Sequence, residues 1–149
     1  SVSKDEKYQS LLPQLQALVE GESDLIANLA NVSAVLKDVF QFWWVGFYLL
    51  KNEELVLGPF QGPLACSRIA LGKGVCGKAA QSQKSILVPD VNQFEGHIAC
   101  SADSQSEIVV PIVLDGNLLA VLDVDSELLN HFDEIDQENL EKLELNEKP

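Results

Sequence analysis

The chain has 149 residues, an apolar fraction of 46% and a formal net charge of −13. That is enough for one domain with a real core, and it offers no basic cluster for nucleic-acid phosphates or an anionic membrane surface. No apolar run reaches membrane-spanning length and the N-terminal SVSKDEKYQS is polar rather than signal-like, so a cytoplasmic location is expected.

In chain order, Tyr8, Leu11, Leu12, Leu15, Leu18 and Val19 fall at helical spacing. Pro13 is expected to kink this helix or to start a second one, and Gly21 to end it. Ser23 or Asp24 caps a second helix with an apolar stripe of Leu25, Ile26, Leu29, Val32, Val35, Leu36 and Val39. Residues 42–51, rich in aromatic and β-branched side chains, read as the first strand. Alternation puts Trp44, Gly46 and Tyr48 on one face and Trp43, Val45, Phe47 and Leu49 on the other. A turn at Asn52-Glu53 leads into a strand from Glu54 to Gly58, then a Gly- and Pro-rich crossover with a short strand at Arg68–Ala70. A short helix follows at Gly74–Ser82 and a strand at Ser85–Val88. Strands Ser106–Leu114 and Asn117–Val124 flank the hairpin signal Asp115-Gly116, and Asp133 caps a closing helix with Ile135, Leu140 and Leu143. The order predicts a single α+β domain over 1–149 around an antiparallel sheet of five or six strands. A helical cover at roughly 4–38 and a closing helix at roughly 133–145 lie on one face, with a ligand pocket under loops on the other side of a sheet region at roughly 40–126.

The three cysteines, Cys66, Cys76 and Cys100, are an odd number in a presumed cytosolic chain. They leave redox chemistry, nucleophilic catalysis, a metal site or inert burial open. Cys100 lies in a polar loop with His97, Ser101, Asp103 and Ser104, unlike a cysteine placed for packing, and is the candidate nucleophile. Cys66 sits in a loop flanked by Pro and Gly, suited to resolving a sulfenic acid on another cysteine. Cys76 begins a helix, where the dipole lowers a thiol pKa, although its neighbours also fit inert burial. Glu107, Val109 and Pro111 point one way, as do Val121, Asp123 and Asp125. Asp123, between Leu122 and Val124, is costly to bury unless paired; the plainer reading is that Asp123 and Asp125 end the strand and cap a turn. Three acids converging on one pocket would raise one another's pKa values and let one act as a general acid, while their charge would disfavour a thiolate.

His97-x-x-Cys100 hints at zinc, but no C-x-x-C knuckle accompanies it, so no metal is expected. Gly72-Lys73-Gly74-Val75-Cys76-Gly77-Lys78 lacks the ending of a phosphate loop. His131, Lys73 and Lys78 read as surface residues.

Together, Trp44-Val45-Gly46-Phe47-Tyr48-Leu49, Leu57-Gly58-Pro59-Phe60-Gln61-Gly62 with Ala65-Cys66 after it, Gly74-Val75-Cys76-Gly77, Val88-Pro89-Asp90-Val91, Gly96-His97-Ile98-Ala99-Cys100, Ser106-Glu107-Ile108-Val109-Val110-Pro111 and Leu122-Asp123-Val124-Asp125-Ser126 resemble the free methionine-R-sulfoxide reductases, a family of single-domain GAF proteins. The resemblance covers roughly residues 40–140; Ser101 stands where the family usually has Asp. It implies Cys100 as nucleophile, Cys66 as main resolving thiol and Cys76 as an auxiliary or alternative one. It implies Glu107, Asp123 and Asp125 as substrate-binding carboxylates, Glu107 also as proton donor, and Trp44 and Tyr48 as an aromatic pocket wall. It further implies free methionine-R-sulfoxide as substrate, no bound cofactor, thioredoxin or another dithiol as reductant, and a homodimer. A non-catalytic GAF sensor for a small ligand is the alternative; it explains the fold but not the cysteines.

Overall fold

The computed structural model describes residues 2–100, 103–143 and 145. Helix α1 (Lys4–Glu20) is opened by a capping box in which Ser3 Oγ accepts from the Glu6 N–H. It runs unbroken through Pro13, against the expectation of a kink or second helix. Pro13 lies on the exposed face, where the carbonyl left without its helical donor can turn to solvent. Helix α2 (Leu25–Phe40) starts at Asp24, whose side chain accepts from the Ala27 N–H, and ends at Gln41 in the left-handed conformation.

Six strands follow: β1 (Trp44–Lys51), β2 (Glu54–Gln61), β3 (Arg68–Ala70), β4 (Ile86–Val88), β5 (Ser106–Leu114) and β6 (Asn117–Ser126), with helix α3 (Gly74–Ser82) between β3 and β4 and helix α4 (Glu134–Leu140) after β6. They form one antiparallel sheet in the order β3-β2-β1-β6-β5-β4. Asn52 and Glu53, and Asp115 and Gly116, all have positive φ, as tight hairpin turns require. Strand β2 runs beyond Gly58, where the sequence reading ended it. Pro59 falls in the register irregularity between the Gly46–Phe60 and Tyr48–Leu57 pairs and pairs with no β3 residue, so its missing N–H costs no ladder bond.

Strand alternation divides the core in two. Val45, Phe47, Leu49, Ile108, Val110, Leu122 and Val124 meet α1, α2 and α4 through Tyr8, Leu15, Leu29, Leu36 and Leu140. Trp44, Tyr48, Val109 and Val121 meet α3 through Val75, Cys76 and Ala79 on the opposite face. Trp43 departs from its expected parity: the chain bends there, the strand begins one residue later, and Trp43 packs with the second cluster. The N- and C-terminal elements are tied by Asp136, which accepts from Tyr8 Oη at 2.6 Å and Lys4 Nζ at 2.7 Å. No helix among the described residues is long and apolar enough to cross a membrane.

Candidate active site

The second face opens into a cavity of about 50 Å³, room for a few waters. Its floor is supplied by β5 and β6. Glu107 is the cross-strand neighbour of Asp125, and Asp123 lies opposite Val109 on one side and Gly46 of β1 on the other. The parity that sends Val109 and Val121 into the core on this face therefore sends Glu107, Asp123 and Asp125 the same way. The walls are Trp44 and Tyr48 from β1 and Val75 and Cys76 from α3, and the rim carries Leu64, His97, Ile98 and Cys100.

The rim is bridged by a disulfide between Cys66 and Cys100, 34 residues apart in sequence and 5.3 Å apart between Cα atoms. The loop bearing Cys66 is tied to the floor through β1: Trp44 Nε1–H donates to the Pro63 carbonyl at 3.0 Å, and Tyr48 Oη–H donates to the Cys66 carbonyl at 2.8 Å. Gly62, at φ +144°, lets this loop lie flat on Trp44, since a Cβ there would sit 2.6 Å from the indole Cδ1.

Electrostatically the floor is unusual. Glu107 and Asp123 are each 6% exposed. Burial, followed by the charge of Asp123 and Asp125, drives the Glu107 carboxyl well above the ordinary range, and burial also raises Asp123 and Asp125. The three share hydrogen bonds among themselves, and two carboxyl groups can bond to each other only if one holds a proton. Burial and mutual charge therefore favour a proton shared within the cluster, on Glu107 first, whose carboxyl both aspartates push upward. His97 Nε2 stands 3.8 Å from Glu107 Oε1, and burial lowers the His97 pKa, so this contact is not an ion pair between full charges near neutrality. Ser104 Oγ donates to Asp125 Oδ1 at 3.4 Å.

The GAF domain family matches residues 20–144. GAF domain-containing protein A of Dictyostelium discoideum is 59% identical over 95% of this chain and 90% of its own. Free methionine-R-sulfoxide reductase of Escherichia coli is 45% identical over 95% of this chain and 87% of its own. The solved structure of free methionine-R-sulfoxide reductase from Neisseria meningitidis in complex with its substrate is 51% identical, with a TM-score of 0.93 over 95% of this chain and 86% of that one. The chain belongs to the free methionine-R-sulfoxide reductases of the GAF family.

In this member of the reductase family, the residues singled out in the sequence fall together: Cys100, Cys76, Glu107, Trp44, Tyr48, Asp123 and Asp125 all line one cavity, and Cys66 is bonded to Cys100 at its rim. Ser101 lies outside the described residues. Asp123 and Asp125 face the cavity rather than capping a turn. Several readings are corrected. Cys76 does sit in the first turn of α3, but burial and then the charges of Asp123, Glu107 and Asp125 push its thiol pKa up, overriding the helix dipole. His131 is half-buried rather than on the surface, its Nδ1 2.5 Å from Ser126 Oγ and its ring stacked on Phe132. Lys78 is half-buried too, donating to the Glu95 carbonyl at 2.8 Å over the Phe94 ring. Lys73 is exposed, as expected, yet lines the cavity. Ser104 and Trp43 were missed. Nothing marks Ser104 out in a run of small polar residues, and Trp43 was hidden by applying strand alternation one residue too early.

Proposed function

We propose that this protein reduces free L-methionine-(R)-S-oxide to methionine, using its own thiols. The observation that carries this reading is the bond between Cys66 and Cys100 at the rim of a protonated, acid-floored cavity. It is the covalent state expected after one turnover.

The substrate enters with its ammonium group toward the acid floor and its S-methyl group against Trp44. Glu107, holding its proton through burial, donates toward the sulfoxide oxygen and makes the sulfur electrophilic. The Cys100 sulfur attacks, the S–O bond breaks, methionine leaves as the thioether, and Cys100 takes the oxygen as a sulfenic acid. The Cys66 thiol then displaces that oxygen as water and forms the disulfide. A dithiol of the thioredoxin kind attacks the disulfide and regenerates both thiols, so the two electrons that reduce the sulfoxide come from that dithiol. Cys76 serves as an auxiliary thiol. Protonation of the floor eases the conflict between a thiolate and nearby acids, because the cluster carries less than its full formal charge. Selection for the free amino acid belongs to the same reading, because a pocket enclosed by α3 and the loops bearing Cys66 and Cys100 would leave a peptide chain no exit. A cytoplasmic setting and a homodimer belong to the same reading and rest on composition and resemblance.

The test offers the R and S sulfoxides of free methionine separately, with a dithiol reductant. Methionine release from the R form, with at most a trace from the S form, is the expected result; equal turnover of both, or of neither, ends the proposal.

A further inference from the structure

In each turnover of the proposed reaction Glu107 gives up a proton, and it has to recover one while buried. Cys100 attacks as a thiolate whose own proton has gone to solvent, and the Glu107 proton ends as the O–H of the sulfenic acid. His97 is placed to supply the replacement. Its Nε2 is 3.8 Å from Glu107 Oε1, and 16% of its side chain is exposed against 7% for Glu107. Both side chains line the cavity. The loop that carries His97 is fastened to α3 on either side of it. Lys78 Nζ donates to the Glu95 carbonyl at 2.8 Å, and Ile98 packs over Gly74, where a Cβ would lie 3.2 Å from Ile98 Cδ1. The ring is therefore held over the acid floor, three residues before Cys100 on the same loop. The 3.8 Å gap exceeds an N–H···O bond by about 0.8 Å, and catalytic contacts of this kind tighten when substrate is bound.

We propose that His97 is the proton relay between solvent and Glu107, a positioning residue that resets the general acid after each turnover. The inference rests on the reductase reading and deepens it. The imidazole binds a proton from solvent, its Nε2–H bond breaks, the O–H bond at Glu107 Oε1 forms, and the ring returns to its neutral state. One proton moves per turnover and no electrons. An imidazole suits the task because it titrates near neutrality and carries a nitrogen on each side of the ring. Burial lowers the His97 pKa, with the Asp123 charge opposing it, while burial and both aspartates raise Glu107. The two shifts run toward each other, which brings donor and acceptor closer to matched and favours transfer between them. The other titratable or charged groups around the ring are Tyr48 of β1, Asp123 and Asp125 of β6, Cys76 of α3 and Lys73 at its N-cap, all lining the cavity, and Lys78 beside Gly96.

The experiment follows steady-state methionine release from free methionine-R-sulfoxide, with a saturating dithiol reductant, across neutral pH. His97→Gln keeps a polar side chain but cannot relay a proton. It is expected to lower kcat by about 10²-fold, the low end for losing a positioned proton-transfer group, with KM unchanged. The deficit should widen as pH rises and free protons become scarce. Added imidazole should restore kcat in proportion to its concentration, while leaving the unaltered chain and Glu107→Gln unaffected. A purely structural role for His97 would show no such rescue. His97→Asn, with the same expectations, stands in should the first variant fold poorly. An unchanged kcat, a raised KM with kcat intact, a loss that imidazole does not relieve in either variant, or stimulation of the unaltered chain by imidazole would each overturn the relay and leave the reductase reading standing. No methionine release by the unaltered chain would instead end the reductase reading, and the relay with it.

Discussion

Glu107 stands directly across from Asp125 in the β5–β6 ladder, with Asp123 two residues along the same face. Like charges placed opposite each other in a sheet destabilise it, and burial of Glu107 adds to that cost, so a proton held between the two is favoured. A carboxyl whose folded pKa exceeds its unfolded value keeps the native chain more protonated than the unfolded one, and stability then falls as pH rises. The decline should begin near the unfolded Glu value of about 4.3 and continue toward the raised native value of Glu107. One such group contributes a slope of up to about 1.4 kcal/mol per pH unit. Glu107→Gln removes it. Melting curves at pH 5 and pH 8 should show a markedly smaller loss of Tm for the variant than for the unaltered chain, while methionine release falls by roughly 10²–10⁴-fold, the range for losing a general acid. Parallel pH slopes would refute the protonated floor.

Tyr48 is a positioning residue for the disulfide. Its hydroxyl holds the Cys66 carbonyl at 2.8 Å. Tyr48→Phe keeps the ring and deletes that bond, worth about 0.5–1.5 kcal/mol, or roughly a 2- to 13-fold effect. The first methionine should be released at nearly the original rate, whereas formation of the Cys66–Cys100 bond should slow by that factor. Thiol loss followed alongside methionine release in a single turnover separates the two steps. Slowing of release by the same factor would mean that Tyr48 acts on the substrate, not on the loop.

The sheet was legible in the sequence because its signals are local. Asn52-Glu53 and Asp115-Gly116 mark their hairpins, and Trp44, Gly46 and Tyr48 alternate with Val45, Phe47 and Leu49 as the two faces require. The acid floor was legible for the same reason, since alternation along β5 and β6 fixes where Glu107, Asp123 and Asp125 point. What lay beyond reach depends on the third dimension. The dipole argument for Cys76 was sound locally but ignored what α3 packs against, and burial beside three acids reverses its sign. Pro13 would break an isolated helix, yet the apolar face of Tyr8, Leu11, Leu15 and Val19 is buried on the other side and holds α1 together through it. The tie between Tyr48 and Cys66 joins residues whose pairing no spacing rule encodes.

The division of labour between Cys100 and Cys66 predicts distinct kinetic failures. Cys100→Ser should release no methionine. Cys66→Ser should release about one equivalent per chain and then stall, because the sulfenic acid has lost the partner seen bonded to it in the structure. A burst assay with excess substrate and a dithiol reductant reads both outcomes. Sustained multiple turnover by Cys66→Ser would show that Cys76 or the reductant resolves Cys100 directly.

Tyr8 lies on the face away from the cavity, fully buried, with its hydroxyl 2.6 Å from Asp136 Oδ1. Tyr8→Phe leaves Asp136, itself 1% exposed, with its Lys4 contact and one oxygen short of a donor. The expected cost is about 1–3 kcal/mol, read as a lower urea midpoint, with KM and kcat unchanged. A shift in KM would mean that the helical layer and the cavity are coupled through the sheet.

Gly77 sits where α3 meets the end of β3. A Cβ at this position would lie 2.4 Å from the Ala70 carbonyl oxygen and 3.2 Å from the Gly72 nitrogen. Both are backbone atoms, so neither can rotate away. Gly77→Ala gains up to about 1 kcal/mol of helix propensity, but relieving the overlap requires α3 to move outward, and overpacking of this kind costs about 1–3 kcal/mol. Cys76 precedes Gly77 on the same turn and moves with it, away from Asp123. The variant should lose stability in urea, and its Cys76 thiol should be alkylated faster than in the unaltered chain. An unchanged midpoint together with unchanged alkylation would show that α3 is not held against β3 by this contact.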